Sequence, residues 1–218
     1  MTIKLVTTLM FLILSIVIIY FYFYFKKSLL SYDNNNIVII KSAYDDTIFN
    51  NIQQYCNTLN NNLKVDNRYN TRKSYFCDPI KDKYLYNLIY SKEFMDFIKK
   101  SCNLSYCSYS DFPIEYRKYE KGSDGMSWHK DKSLFNKSYY ECVLTINNTS
   151  NSRFLFKFNN NIYTVIPKDN LLVLVKPNTI DHKVTKLDYG DRYFLKFIIL
   201  ISKDNTKNIN YYDELSNI

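Results

Sequence analysis

IEYRKYEKGSDGMSWHKD, residues 114–131, opens the region whose reading decides the fold. Two short β-rich runs, IEYRKY (114–119) and MSWHKD (126–131), flank the turn-type stretch EKGSDG. Six more follow: CVLTIN (142–147), RFLFKF (153–158), NIYTVI (161–166), LLVLVK (171–176), HKVTKL (182–187) and RYFLKFIILI (192–201). Between them lie NTSNS, NN, PKDN, PNTID and DYGD, stretches rich in the residues that tight turns require. Several runs, such as RFLFKF and VLVK, are read as alternating, as expected of half-buried strands. Strands at roughly ten-residue spacing predict a sandwich or barrel with its core over residues 113–201.

Upstream the pattern is helical. IVII (37–40) predicts a short strand, and Asp45–Asp46 then caps an amphipathic helix with Ile48, Ile52 and Tyr55 at i, i+4 and i+7. Residues 62–78 read as polar and irregular. A second helix is expected over 82–101, with Leu85, Leu88, Ile89, Phe94 and Phe97 facing inwards. The fold class is therefore mainly β with flanking helices, the domain covering 37–205 and a polar tail covering 206–218.

Residues 5–25, LVTTLMFLILSIVIIYFYFYF, carry no charge and end at Lys26 and Lys27. At a rise of about 1.5 Å per residue such a helix crosses the roughly 30 Å hydrocarbon layer. The Tyr and Phe cluster at 20–25 sits where an interfacial aromatic belt belongs. The run exceeds the ~7–15 residues of a signal-peptide core, and KKSLLSY offers no small-residue cleavage site. Residues 1–30 are thus expected to be an uncleaved transmembrane anchor, and 31–36 (SYDNNN) a linker. Basic residues balance across the run, while sequons at Asn103, Asn136, Asn147 and Asn148 favour a lumenal domain.

The protein, at 218 residues, has room for one anchor and one domain. A net charge of +8 would suit nucleic acid or an anionic membrane, but lysines are adjacent only at 26–27 and 99–100. The charge reads as a solvated surface. Five cysteines without a C-x-x-C pair argue against a thiolate zinc site. Cys102 and Cys107 are spaced for a short-range disulfide, and the odd count leaves a thiol over.

The chemistry-bearing residues are few. The sequence has two histidines. His129 is followed two residues later by Asp131, and residues two apart on a strand share a face, so both side chains can reach one ion. His182 opens the seventh run, and Arg192 follows ten residues later at the start of the eighth. Two imidazoles and one carboxylate form the facial triad of non-haem Fe(II) sites, with open positions for a chelating 2-oxo acid and O₂.

The segments YEKGSDGMSWHKD (119–131) and DHKVTKLDYGDRYFLKF (181–197) resemble the catalytic core of the 2-oxoglutarate/Fe(II) dioxygenases, most closely the prolyl 4-hydroxylase-like branch. The resemblance implies a double-stranded β-helix, a jelly roll of eight strands, with the H-x-D pair on the second and the distal histidine on the seventh. It implies His129, Asp131 and His182 as iron ligands and Arg192 as partner of the distal carboxylate of 2-oxoglutarate. Tyr119 and, on the third strand, Thr145 would add hydroxyl contacts to the co-substrate. The implied activity is hydroxylation of prolyl or other side chains of a protein or peptide, with release of succinate and CO₂ and with ascorbate as a supporting reductant. Two alternatives stand beside it. Tyr119, Gly122 and Asp124, together with Arg153-Phe154 and Phe156-Lys157, are similar to AlkB-type demethylases of alkylated nucleic acid, although Ile198 stands where that family has a second arginine. A non-enzymatic membrane-anchored jelly roll is the other.

Overall fold

The strand-forming runs have two faces, and the fold buries both. A computed structural model describes residues 10–16, 29–32, 35–66 and 69–215. Among the described residues, thirteen strands form two antiparallel sheets. The expected eight runs are β6 (Glu115–Tyr119), β7 (Met126–His129), β8 (Tyr139–Asn148), β9 (Phe154–Phe158), β10 (Asn161–Val165), β11 (Leu172–Val175), β12 (His182–Val184) and β13 (Arg192–Leu200). They divide as a jelly roll does: β11-β8-β13-β6 lie within the large sheet, and β10-β9-β12-β7 form the small one.

Upstream strands widen the large sheet. β1 (Leu29–Tyr32) and β2 (Ile37–Ile40) extend it beyond β11, while β4 (Tyr69–Phe76) and β3 (Lys64–Asp66) extend it beyond β6; β5 (Ser108–Tyr109) pairs with β13. Two expectations are corrected here. Within the stretch read as irregular, residues 64–66 and 69–76 are extended, because β6 supplies a ladder from Arg72↔Tyr119 to Phe76↔Glu115. Pairing with a neighbour outweighs the polar composition. The expected linker at 31–36 instead begins inside β1, which forms a hairpin with β2 in the register Leu29↔Ile40 to Tyr32↔Ile37. Tyr32 then packs its ring on Phe156 and Tyr163, with centroids 5.1 and 5.2 Å away.

Helices cover the outer face of the large sheet. α1 (Asp46–Thr58) is capped by Asp45, whose carboxylate accepts from the Ile48 amide at 2.9 Å. The single helix expected over 82–101 is two, α2 (Lys83–Ile89) and α3 (Lys92–Ser101). The break is chemical: the Ser91 hydroxyl caps α3 by accepting from the Phe94 amide. Ile52, Leu85, Ile89 and Ile98 pack with Leu144, Leu174 and Phe197 in the main core. Burying each such side chain stabilises the fold by ~1.5–3 kcal/mol. All five cysteines are free thiols, Cys102 and Cys107 included.

The C-terminal stretch is not a tail either. α4 (Ile209–Leu215) inserts Tyr211 between Phe112 and Phe135, and residues 205–210 bond the loop that follows Asp131, through Asn208 to the Leu134 and Ser133 carbonyls and Thr206 to Asn136. Tyr211→Ala should cost about 3 kcal/mol in urea unfolding, the low end for deleting a buried aromatic ring. Residues 10–16 are helical and exposed. The rest of the apolar run 5–25 lies outside the described residues, and no helix among the described residues is long and apolar enough to cross a membrane.

Candidate metal centre

Pairing of β7 with β12 decides the site. The two strands place His129 directly opposite His182, the distance at which cross-strand side chains touch. Their rings lie 4.4 Å apart between centroids. Asp131, two residues past His129, turns its carboxylate back towards both. Its Oδ1 is 3.7 Å from His129 Nε2, and its Oδ2 is 3.4 Å from His182 Nε2. One donor atom from each residue falls within 4.8 Å of the others, so a single ion can contact all three.

The second nitrogens are already committed. His129 Nδ1 lies 2.7 Å from the Ser127 carbonyl, and His182 Nδ1 lies 3.1 Å from the Ile180 carbonyl. An N–H donated there leaves Nε2 with its lone pair on the cluster, which is how metal-binding histidines are oriented. Burial pulls the His182 pKa down against the attraction of Asp131, favouring the neutral ring a metal needs. The Asp131 carboxylate, accepting from the His129 ring, pushes the His129 pKa up. For Asp131 burial acts upwards, but His129, Lys196 and His182 together hold the carboxyl well below its ordinary value. Two nitrogens and one carboxylate on a fixed edge fit a divalent iron-type ion with vacant positions.

Gly125 allows this edge to close. It adopts φ +71°, and a Cβ there would lie 2.6 Å from the Thr185 carbonyl oxygen and collide with the Val184 carbonyl. Gly125→Ala should push β7 off β12, lowering stability by about 1–3 kcal/mol. It should also weaken Co(II) binding, measured by the visible absorption of the bound ion.

Behind the cluster lies a cavity of about 70 Å³, lined by Tyr119, Val143, Phe154, Val175, Arg192 and Phe194 among others. Arg192 is 3% exposed, and its Nε and Nη1 have no hydrogen-bond partner. Its guanidinium lies over the Phe194 ring at 5.1 Å, and burial pulls its pKa below the ordinary arginine value. A buried cation without an anion is costly, and a carboxylate entering this cavity would satisfy it. Tyr119, opposite Arg192 on β6, also lines the cavity. Thr145 does not line it. Its side chain is fully buried on β8, with Oγ1 left without a partner.

In front of the cluster an outer cleft of about 420 Å³ opens between β4, β6 and β7 and the C-terminal helix. Four of its residues escaped the sequence reading: Glu115, Arg117, Glu141 and Lys196. The signal was parity. Glu115, Arg117 and Tyr119 alternate on β6, as do Arg192, Phe194 and Lys196 on β13, so all share the inward face. Ile198, at the position where the demethylase resemblance wants a second arginine, packs instead with Phe112, Phe135 and Tyr211.

No protein-family model matches the sequence, and no curated protein matches it either. Solved structures do match. An oxidoreductase of the 2OG-Fe(II) oxygenase family from Burkholderia pseudomallei superimposes with a TM-score of 0.64 at 11% identity, covering 77% of this chain and 85% of that one. A prolyl hydroxylase from Trichoplax adhaerens, in complex with a hypoxia inducible factor oxygen degradation domain peptide fragment, gives 0.56 at 14% identity over 77% and 84%. HygX from Streptomyces hygroscopicus, with nickel and 2-oxoglutarate bound, gives 0.58 at 12% identity over 77% and 84%. The jelly roll described above, with His129, Asp131 and His182 at the mouth of its cavity, is the fold of the 2-oxoglutarate/Fe(II) oxygenases.

Proposed function

We propose that this protein is an Fe(II)- and 2-oxoglutarate-dependent dioxygenase that hydroxylates side chains of a protein or peptide, prolyl residues being the first candidates. One observation carries the reading: His129, Asp131 and His182 converge on one point and line the same cavity as the buried Arg192, whose Nε and Nη1 have no hydrogen-bond partner. The metal- and 2-oxoglutarate-containing neighbour and the peptide-bound prolyl hydroxylase support it.

The protein's own residues have defined tasks. The backbone carbonyls of Ser127 and Ile180 fix the histidine tautomers. Asp131 stays ionised and brings negative charge to the ion. Arg192 receives the distal carboxylate of the co-substrate through two N–H groups, with Tyr119 beside it. Val143, Phe154 and Val175 exclude water around it. Iron held there would supply the oxidation of a carbon–hydrogen bond by O₂, with 2-oxoglutarate leaving as succinate and CO₂.

The test is succinate release by the full-length protein in detergent with Fe(II), 2-oxoglutarate and ascorbate, beside His129→Ala and with proline-rich peptides added. Turnover that depends on His129 supports the reading. Absence of both turnover and anaerobic Fe(II)·2-oxoglutarate binding would falsify it.

The apolar run 5–25 supports a membrane anchor, and exposed sequon residues Asn103, Asn136 and Asn147 suit a lumenal domain. In cells, glycosidase-sensitive mass at these positions is the expected result; an unglycosylated protein that resists alkaline extraction would place the domain on the cytosolic side.

A further inference from the structure

The floor of the outer cleft is charged where a jelly-roll interior is ordinarily apolar. Arg117 Nε donates to Glu115 Oε1 at 2.8 Å, and its other arm pairs with the same carboxylate. On the neighbouring strands Lys196 Nζ meets Glu141 Oε2 at 2.6 Å. Glu115 and Glu141 are 3% and 4% exposed, whereas the Lys196 side chain keeps 27% of its surface open. Lys196 and Glu141 line both the inner cavity and the outer cleft, as do His129 and Asp131. A group that reaches the metal cluster from outside enters a cleft that this pair also lines.

We infer that the group oxidised by this enzyme belongs to a carboxamide side chain, that of asparagine or glutamine, rather than to a prolyl ring. The inference rests on the oxygenase reading of the proposed function and replaces its first-named substrate residue, proline. A prolyl ring pressed onto Lys196 would strip its water and return no hydrogen bond, a loss of the kind that makes buried ion pairs costly. A carboxylate side chain would gain Lys196 but meet Glu141 and Asp131. An ammonium would gain Glu141 but meet Lys196. A carboxamide answers both at once, its oxygen accepting from Lys196 and its N–H₂ donating to Glu141. In the reaction a carbon–hydrogen bond of the substrate residue becomes a carbon–hydroxyl bond; one atom of O₂ enters that hydroxyl and the other enters succinate, as 2-oxoglutarate loses CO₂.

The experiment uses the full-length protein in detergent with Fe(II), 2-oxoglutarate and ascorbate. Five peptide pools share randomised flanks and differ at one central position: asparagine, glutamine, aspartate, lysine or proline. Succinate release and oxygen gain on the peptide are measured for wild type and for Lys196→Met. Stimulation by a carboxamide pool at least about tenfold above the proline pool, with that ratio falling in Lys196→Met, is the expected result; a site built around hydrogen bonds rejects ligands that lack them. A proline, aspartate or lysine pool as the best substrate overturns the carboxamide assignment and leaves the oxygenase reading standing. Basal turnover that no pool stimulates does the same. Loss of basal turnover together with Fe(II)·2-oxoglutarate binding in the wild type removes the oxygenase reading itself, and this inference with it.

Discussion

His182→Ala is expected to reduce succinate release to background and to weaken Fe(II) or Co(II) binding beyond the ~10–100-fold that changes outside the ligand set produce. The reason is geometric. Three donors share one ion, and His182 is the member fixed most firmly, 6% exposed and bonded through Nδ1 to Ile180. Removing it leaves an i, i+2 pair at the exposed end of β7, which offers too few donors to compete with water. His182 pairs across strands by its backbone, so the sheet should survive, and an unchanged far-UV circular dichroism spectrum checks this. Asp131→Asn keeps the shape but removes the charge, and should lose metal to nearly the same extent. Tight metal binding and full turnover in either variant would move the active centre elsewhere.

Arg192→Met should act with opposite signs on two measurements. Within the protein the buried guanidinium has no hydrogen-bond partner on Nε or Nη1, and an apolar side chain of similar length relieves that cost. The thermal midpoint without ligand should hold or rise. With 2-oxoglutarate present the order reverses, because truncating one partner of a desolvated charge pair costs about 2–5 kcal/mol. At 1.4 kcal/mol per tenfold, KM for 2-oxoglutarate should rise by roughly 30- to 4,000-fold, and ligand-induced stabilisation should vanish. Arg192→Lys keeps a charge but not the planar fork, and should fall between the two. A variant with wild-type KM would show that the co-substrate's distal carboxylate lies elsewhere.

The strands from residue 113 onwards were legible because turn residues bound each run and several runs alternate, although β11, read as half-buried, is buried along its whole length. The two histidines were legible because there were only two, one with an aspartate at +2. Local pattern failed where a partner strand or a cap made the decision. Nothing in YNTRKSYF (69–76) announces a strand until β6 lies beside it. Ser91 inside an apolar-periodic stretch stops one helix only because its hydroxyl starts the next. The charged floor was missed for another reason. Glu115, Arg117, Glu141 and Lys196 each read singly as surface residues, and only the alternation of three strands turns them to one face. Thr145 met the limit of resemblance: the right strand and face, yet outside the cavity lining.

The β1–β2 hairpin fixes more than an edge. β1 stands at one end of the large sheet and packs Tyr32 against the β9–β10 end of the small one, whereas the cleft opens at the β4 and β7 end. Only residues 26–28 separate the apolar run from β1, a reach of about 10 Å at full extension. With residues 5–25 in a bilayer, the domain would be moored on a short leash by the side opposite its mouth. Under the proposed membrane anchoring, the cleft would face away from lipid, towards substrates in the aqueous phase.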